Sequence, residues 1–154
     1  MGVEKNMKIG YACIPLTIND RTSRGLTIKK FSKDMFLEVV KQNIEGLKKI
    51  LENNESLNIK MFRISSDIVP LGSHEINKVE WYKYFENELK EIGEFIKKCD
   101  MRVSMHPGQY TVLNAQKEDI VQNAIKDLEY HSRFLDSLGV DSSNKIIQIG
   151  RAHV

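Results

Sequence analysis

Apolar residues recur along this chain in two alternating rhythms. Short apolar runs at Lys8–Ile14, Leu57–Ile64, Met101–Met105 and Lys145–Ile149 predict four strands. Between them lie three longer stretches in which apolar residues return every three or four positions, the period of a helix with one buried face. The first carries Phe36, Val39, Val40, Ile44, Leu47, Ile50 and Leu51, with Ser32 placed to cap its start. The second carries Trp81, Phe85, Leu89, Ile92, Phe95 and Ile96, and Asn77 with Glu80 resembles a capping box before it. The third carries Ile120, Val121, Ala124, Ile125, Leu128, Phe134, Leu135 and Leu138, and Gly139 is its stop. Strand and helix alternate with nearly even spacing, so the pattern predicts an α/β domain with a parallel sheet and crossover helices.

In such architectures the chemistry sits beyond the carboxyl ends of the strands. Polar groups gather at that end here. Pro15–Lys30 follows the first strand and holds Arg21, Arg24, Lys29 and Lys30. Arg63-Ile64-Ser65-Ser66-Asp67, then Ser73-His74, follows the second, and His106-Pro107-Gly108-Gln109-Tyr110 follows the third. The opposite end, Asn53–Ser56 for example, carries nothing comparable.

Composition narrows the class. The chain has 154 residues, 41% hydrophobic and 29% charged, which suits one globular domain and argues against disorder. The apolar runs are too short for a membrane span, and the amino-terminal residues lack the apolar core of a secretory signal, so a cytoplasmic protein is expected. A net charge of +2 permits nucleic-acid binding without requiring it. The two cysteines, Cys13 and Cys99, form no CxxC pair and are expected to be reduced thiols.

Each constellation has two readings at this level. His74 and His106 could converge on a divalent ion, or one could lie on the surface and the other cap a strand end. Gln109 and Tyr110, presented by a Pro-Gly turn, could enter a base stack, or the tyrosine could pack on the next helix. Arg63, Ser65, Ser66 and Asp67 could contact phosphate or support a metal's ligands, or form a structural ion pair. Arg21 and Arg24 suit phosphate contacts as well as they suit a solvated loop. Tyr11 is expected to point toward the barrel or its mouth, or to be a core tyrosine. His131 and His153 are expected on the surface.

Several stretches together resemble the UV damage endonucleases: Ile9-Gly10-Tyr11-Ala12-Cys13-Ile14, Phe62-Arg63-Ile64-Ser65-Ser66-Asp67-Ile68-Val69-Pro70-Leu71, Ser73-His74, Ser104-Met105-His106-Pro107-Gly108-Gln109-Tyr110 and Leu128-Glu129-Tyr130-His131. The resemblance implies a metal-dependent DNA repair nuclease on a TIM-barrel fold, using Mn- or Zn-type divalent ions to cut double-stranded damaged DNA 5′ to UV photoproducts. It implies His74 and His106 as ligands of one ion, Gln109 and Tyr110 as the pair that probes the lesion, and Tyr11 as a wall of the lesion pocket. It also implies a protein that is monomeric at full length. Pro15 departs from the family, many members of which carry Asn there.

A complete (β/α)8 barrel needs about 250 residues. The chain is therefore expected to be the amino-terminal half of one, about four parallel strands with three crossover helices, with residues 1–149 a partial barrel domain. Where the family ends the fourth strand in His, this chain has Gly150, and the further metal ligands come later in the family. Ile149-Gly150-Arg151-Ala152-His153-Val154 matches the translation of a common sequencing adapter, ATC GGA AGA GCA CAC GTC, so residues 150–154 are expected to be a non-native tail. Such a fragment is expected to be inactive or aggregation-prone, with an incomplete metal site and open sheet edges. Two other classes remain: a metal-using sugar isomerase or epimerase barrel, and a non-enzymatic small α/β binding module. Salt-dependent binding to duplex DNA separates the first from a nuclease, and cooperative unfolding as a monomer marks the second.

Overall fold

The computed structural model describes residues 7–108, residues 111–142 and the backbone of residues 146 and 147. Four strands, β1 (Gly10–Ala12), β2 (Met61–Ile64), β3 (Arg102–Met105) and β4 (Ile146–Ile147), alternate with helices α1 (Lys33–Ser56), α2 (Trp81–Tyr84), α3 (Glu86–Lys98) and α4 (Glu118–Ser137). The strands lie in chain order in one sheet, and every neighbouring pair is parallel. Among the described residues the sheet is open, with β1 and β4 at its edges.

The two faces of the sheet differ sharply. Phe62 and Ile64 on β2 and Val103 and Met105 on β3 are buried, whereas Met61 and Arg102 in the alternate positions are exposed. The helices therefore cover one face only, as period-two alternation dictates. Against that face α1 buries Phe36, Val40, Leu47, Ile50 and Leu51, each contributing about 1.5–3 kcal/mol relative to exposure. At the crossing of α3 and α4 the backbones approach so closely that a Cβ on Gly93 would lie 1.6 Å from the Leu138 carbonyl oxygen.

The turns from helix to strand share one chemistry. Asn58, Asp100 and Gly139 adopt φ of 54°, 50° and 66°, the left-handed conformation that ends a helix. Ile59 N–H donates to Asn54 O at 2.8 Å and Asn58 N–H to Glu55 O at 3.0 Å; Met101 and Asp100 repeat this pair on Ile96 and Lys97 at 2.9 and 3.1 Å. Residues 57–60 are spent on this turn, so β2 starts at Met61 and not at Leu57 as expected.

The Ser32 cap is present: its hydroxyl accepts from Met35 N–H at 3.2 Å. The second helix departs from expectation and breaks at Phe85 into α2 and α3. Asn77 forms no capping box; its side-chain oxygen accepts from Val79 N–H at 3.1 Å, a local turn that competes with the cap. Among the described residues no helix is long and apolar enough to cross a membrane. Gly150 and the rest of the expected tail lie outside the described residues.

Candidate functional site

At the carboxyl end of β2 the chain turns immediately. Buried Ser65 caps a single 3-10 turn, Ser66–Ile68, by accepting from Asp67 N–H at 3.2 Å. The Ser66 hydroxyl then reaches across to donate to the His106 carbonyl at the end of β3. Beyond this turn Leu71 adopts φ 56°, a costly conformation for a residue with a Cβ. The Leu71 carbonyl accepts from His74 N–H at 3.1 Å and from the Asn77 side chain at 3.2 Å. A Cβ on Gly72 would lie 2.6 Å from the Tyr130 ring, so the loop can pass α4 at that distance only as glycine.

From α4, Tyr130 and Asp127 complete the rim. The Tyr130 hydroxyl accepts from Val69 N–H at 3.2 Å and donates to Ser66 O at 2.7 Å. Burial pushes its phenol above the ordinary value, the Asp67 and Asp127 carboxylates add to this, and the Val69 N–H opposes it. Asp127 accepts from the Ser73 hydroxyl at 3.2 Å and from the Thr111 hydroxyl at 2.6 Å. A cavity of about 340 Å³ lies between these groups, lined by Ser66, Asp67, Ser73, Gly108, Thr111 and Asp127 among others. An adjoining one of about 320 Å³ shares Gly72, Ser73 and Tyr130 with it and includes His74.

The two candidate ligand histidines differ in readiness. His106 is half-buried and its Nδ1 lies 2.5 Å from Pro107 O. A carbonyl only accepts, so Nδ1 carries the proton and the Nε2 lone pair is available, the tautomer a metal requires. His74 is exposed, and its Nδ1 accepts from Ile76 N–H at 3.1 Å, which leaves the proton of a neutral ring on Nε2. That ring must surrender the Ile76 contact before it can ligate. Among the described residues no group of three His, Cys, Asp or Glu side chains is placed to hold an ion. The donor set thus fits a divalent ion in part: one ligand is ready and a second needs a local rearrangement.

The remaining predicted residues divide. Gln109 and Tyr110 lie outside the described residues. Of the two readings of Tyr11, toward the mouth or into the core, strand register agrees with the second and puts it beside Phe62 on the helix-covered face. Its hydroxyl donates to Asn54 on α1 at 2.6 Å and its ring meets Phe62 edge-on at 5.2 Å, so it packs half-buried against the core. The Arg24 guanidinium donates to Arg21 O at 2.7 Å and Gln42 O at 3.1 Å, bracing its own loop on α1, while Arg21 is exposed. Arg63 and Asp67 both act on Cys13 at the end of β1. Burial pushes that thiol up, Arg63 opposes the shift and Asp67 adds to it.

His131 was expected on the surface and is fully buried, its Nδ1 2.6 Å from Asp127 O. Asp127, Thr111 and Tyr130 went unnoticed as site residues in the sequence. One signal was available: 124, 127, 131, 134 and 138 form a single helical stripe, and two of its five positions are polar.

The chain is similar to known proteins over most of its length. Residues 7–153 match the family model described as UV-endonuclease UvdE. The UV DNA damage endonuclease of Clostridium perfringens (strain 13 / Type A) is 61% identical over 141 residues, 92% of this chain and 34% of that protein. The UV DNA damage endonuclease of Bacillus cereus (strain G9842) is 35% identical over 156 residues, 96% of this chain and 49% of that protein. The crystal structure of SacUVDE superposes with a TM-score of 0.88 at 38% identity, covering 93% of this chain and 48% of that one. The chain therefore spans between a third and a half of the length of these relatives.

Proposed function

This chain belongs to the UV-endonuclease UvdE family, and on that premise we propose that it forms the first half of a (β/α)8 barrel whose strand-end rim engages UV-damaged double-stranded DNA. The parent activity would be incision 5′ to the photoproduct. One observation carries this reading: the Ser66 hydroxyl bonds the His106 carbonyl while Asp127 holds both Ser73 and Thr111. These contacts tie the loop that bears His74 to the end of β3 at His106 and to Thr111.

In this proposal Gln109 and Tyr110 wedge beside the lesion, because damaged bases stack and pair poorly and cost less to extrude than intact ones. Arg21 supplies charge to the phosphate backbone. Arg24 and Ser65 act indirectly, by fixing the loops that carry the contacts. His74 and His106 would hold a divalent ion of Mn or Zn type, which when bound supplies Lewis-acid and water-activating chemistry. Pro107 O holds the proton on His106 Nδ1 and leaves its Nε2 to ligate, whereas His74 must first release Ile76 N–H from its Nδ1. Two imidazoles are fewer ligands than metal-assisted hydrolysis uses, so this chain alone is proposed to bind damaged DNA without cutting it.

Fluorescence anisotropy with a short duplex, UV-irradiated or not, tests the reading. Tighter binding to the irradiated duplex, weakening steeply as salt rises, is the expected result. Equal affinity for both duplexes contradicts it. Nicking of irradiated plasmid in Mn²⁺ above background contradicts the proposed inactivity of this chain.

A further inference from the structure

We propose that Asp127 is a positioning residue that couples the His74 loop to the loop after β3, so that the two halves of the rim move as one unit; this rests on the reading of that rim as the DNA-cutting face. One carboxylate receives both loops through separate oxygens: Ser73 Oγ on Oδ1 at 3.2 Å and Thr111 Oγ1 on Oδ2 at 2.6 Å. Ser73 is the neighbour of His74, and Thr111 directly follows the Gln109–Tyr110 pair.

The helix behind the carboxylate is itself fixed. His131, one turn on and fully buried, holds Nδ1 2.6 Å from Asp127 O and 3.7 Å from its Oδ1. Tyr130 anchors the same helix to the end of β2 through Ser66 O and Val69 N–H. Leu71 in the left-handed region shows why such a clamp is needed. A residue with a Cβ holds that conformation only where its surroundings impose it.

Both loops offer a local reporter. His74 N–H is bonded to Leu71 O at 3.1 Å and Thr111 N–H to Gly108 O at 3.0 Å. Amide hydrogen exchange of the whole 154-residue chain, first without metal, therefore tests the coupling. Asp127→Ala should speed exchange at both amides by about tenfold or more, since hydroxyl bonds to a charged acceptor are lost at once. Asp127→Asn, which can accept from one hydroxyl and donate to the other, should restore protection to within about threefold of the parent. Ser73→Ala should loosen chiefly the His74 segment and Thr111→Val chiefly its own, so these variants decide the matter even if Asp127→Ala does not fold.

The proposal is overturned if Asp127→Ala frees only one loop, if the asparagine variant rescues neither, or if exchange rises equally through buried α1 residues such as Leu47. Zn²⁺ added to the same samples separates this from the metal reading. Zn²⁺ that restores protection to Asp127→Ala supports both. Zn²⁺ that changes nothing at His74 or His106 in any variant overturns the shared-ion reading and leaves the coupling intact.

Discussion

Removal of a single oxygen, Tyr130→Phe, probes the join between α4 and the end of β2. Tyr130 is 6% exposed and Val69 1%, so the Val69 N–H that the phenol satisfies has no route to water. The ring stays, and with it the edge contact to Trp81 at 6.2 Å, so the substitution isolates the hydroxyl. Two hydrogen bonds disappear, at 3.2 Å from Val69 N–H and 2.7 Å to Ser66 O. An orphaned buried donor costs about 1–3 kcal/mol and a lost ordinary hydrogen bond about 1 kcal/mol, so a net loss of about 2 kcal/mol or slightly more is expected. In a chain of this size that lowers Tm by about 4–8 °C. The lone tryptophan, Trp81, is buried beside Tyr130 and gives the probe: urea unfolding followed by its fluorescence, with the m-value unchanged. A loss below about 0.5 kcal/mol would mean that the backbone groups find other partners, and the hydroxyl would not be what holds the rim to α4.

The same phenol gives a pH signature. Its folded pKa is raised above the ordinary 10.0, chiefly by burial, so its stabilising effect is complete below that value and is lost as pH climbs beyond it. Absorbance at 295 nm should show one tyrosine that ionises only with unfolding, and Tyr130→Phe should flatten the alkaline fall in stability; no difference between the two proteins would contradict the burial argument. Gly93→Ala drives a Cβ to 1.6 Å from the Leu138 carbonyl, backbone against helix, and should cost about 3 kcal/mol or more by chemical denaturation. Retained stability would show that α3 and α4 can separate freely. At the end of β1, alkylation of Cys13 should be slow at pH 8, slower still in Arg63→Ala and faster in Asp67→Asn, following the opposite signs of the two charges. Peptide mapping of the modified chain distinguishes it from Cys99, and unchanged rates would place those charges away from the thiol.

The order of elements was open in the sequence because it rests on apolar periodicity, which burial on one side of a sheet enforces directly. Ser32 added a start through its side-chain cap and Gly139 a stop through its left-handed backbone, whereas Asn58, read as part of a strand, ends its helix in the same left-handed conformation. What pattern could not supply was rotation and contact across the chain. Tyr11 reads equally as a rim or a core residue until the register with Phe62 places it on the helix side. His131 reads as solvent-facing until α4 is rotated so that it lies on the buried stripe beside half-buried Asp127, leaving Ile120 and Ile125 at 38% and 37% exposure. A carboxylate that joins Ser73, 54 positions away, to Thr111, 16 positions away, leaves no trace in local spacing. His74 and His106 stand out by their places after strands; that His106 can ligate through Nε2 while His74 is engaged by Ile76 N–H depends on backbone partners that spacing does not encode.

The most direct test of the shared rim is a double-mutant cycle on ion binding. Zn²⁺ affinity would be measured by competition with a chromophoric chelator for the parent chain, His74→Ala, His106→Ala and the double variant. If both imidazoles hold one ion, each single substitution should weaken binding by about tenfold or more, and the double variant should be little worse than either. One substitution without effect on the affinity would mean that the two histidines do not share an ion.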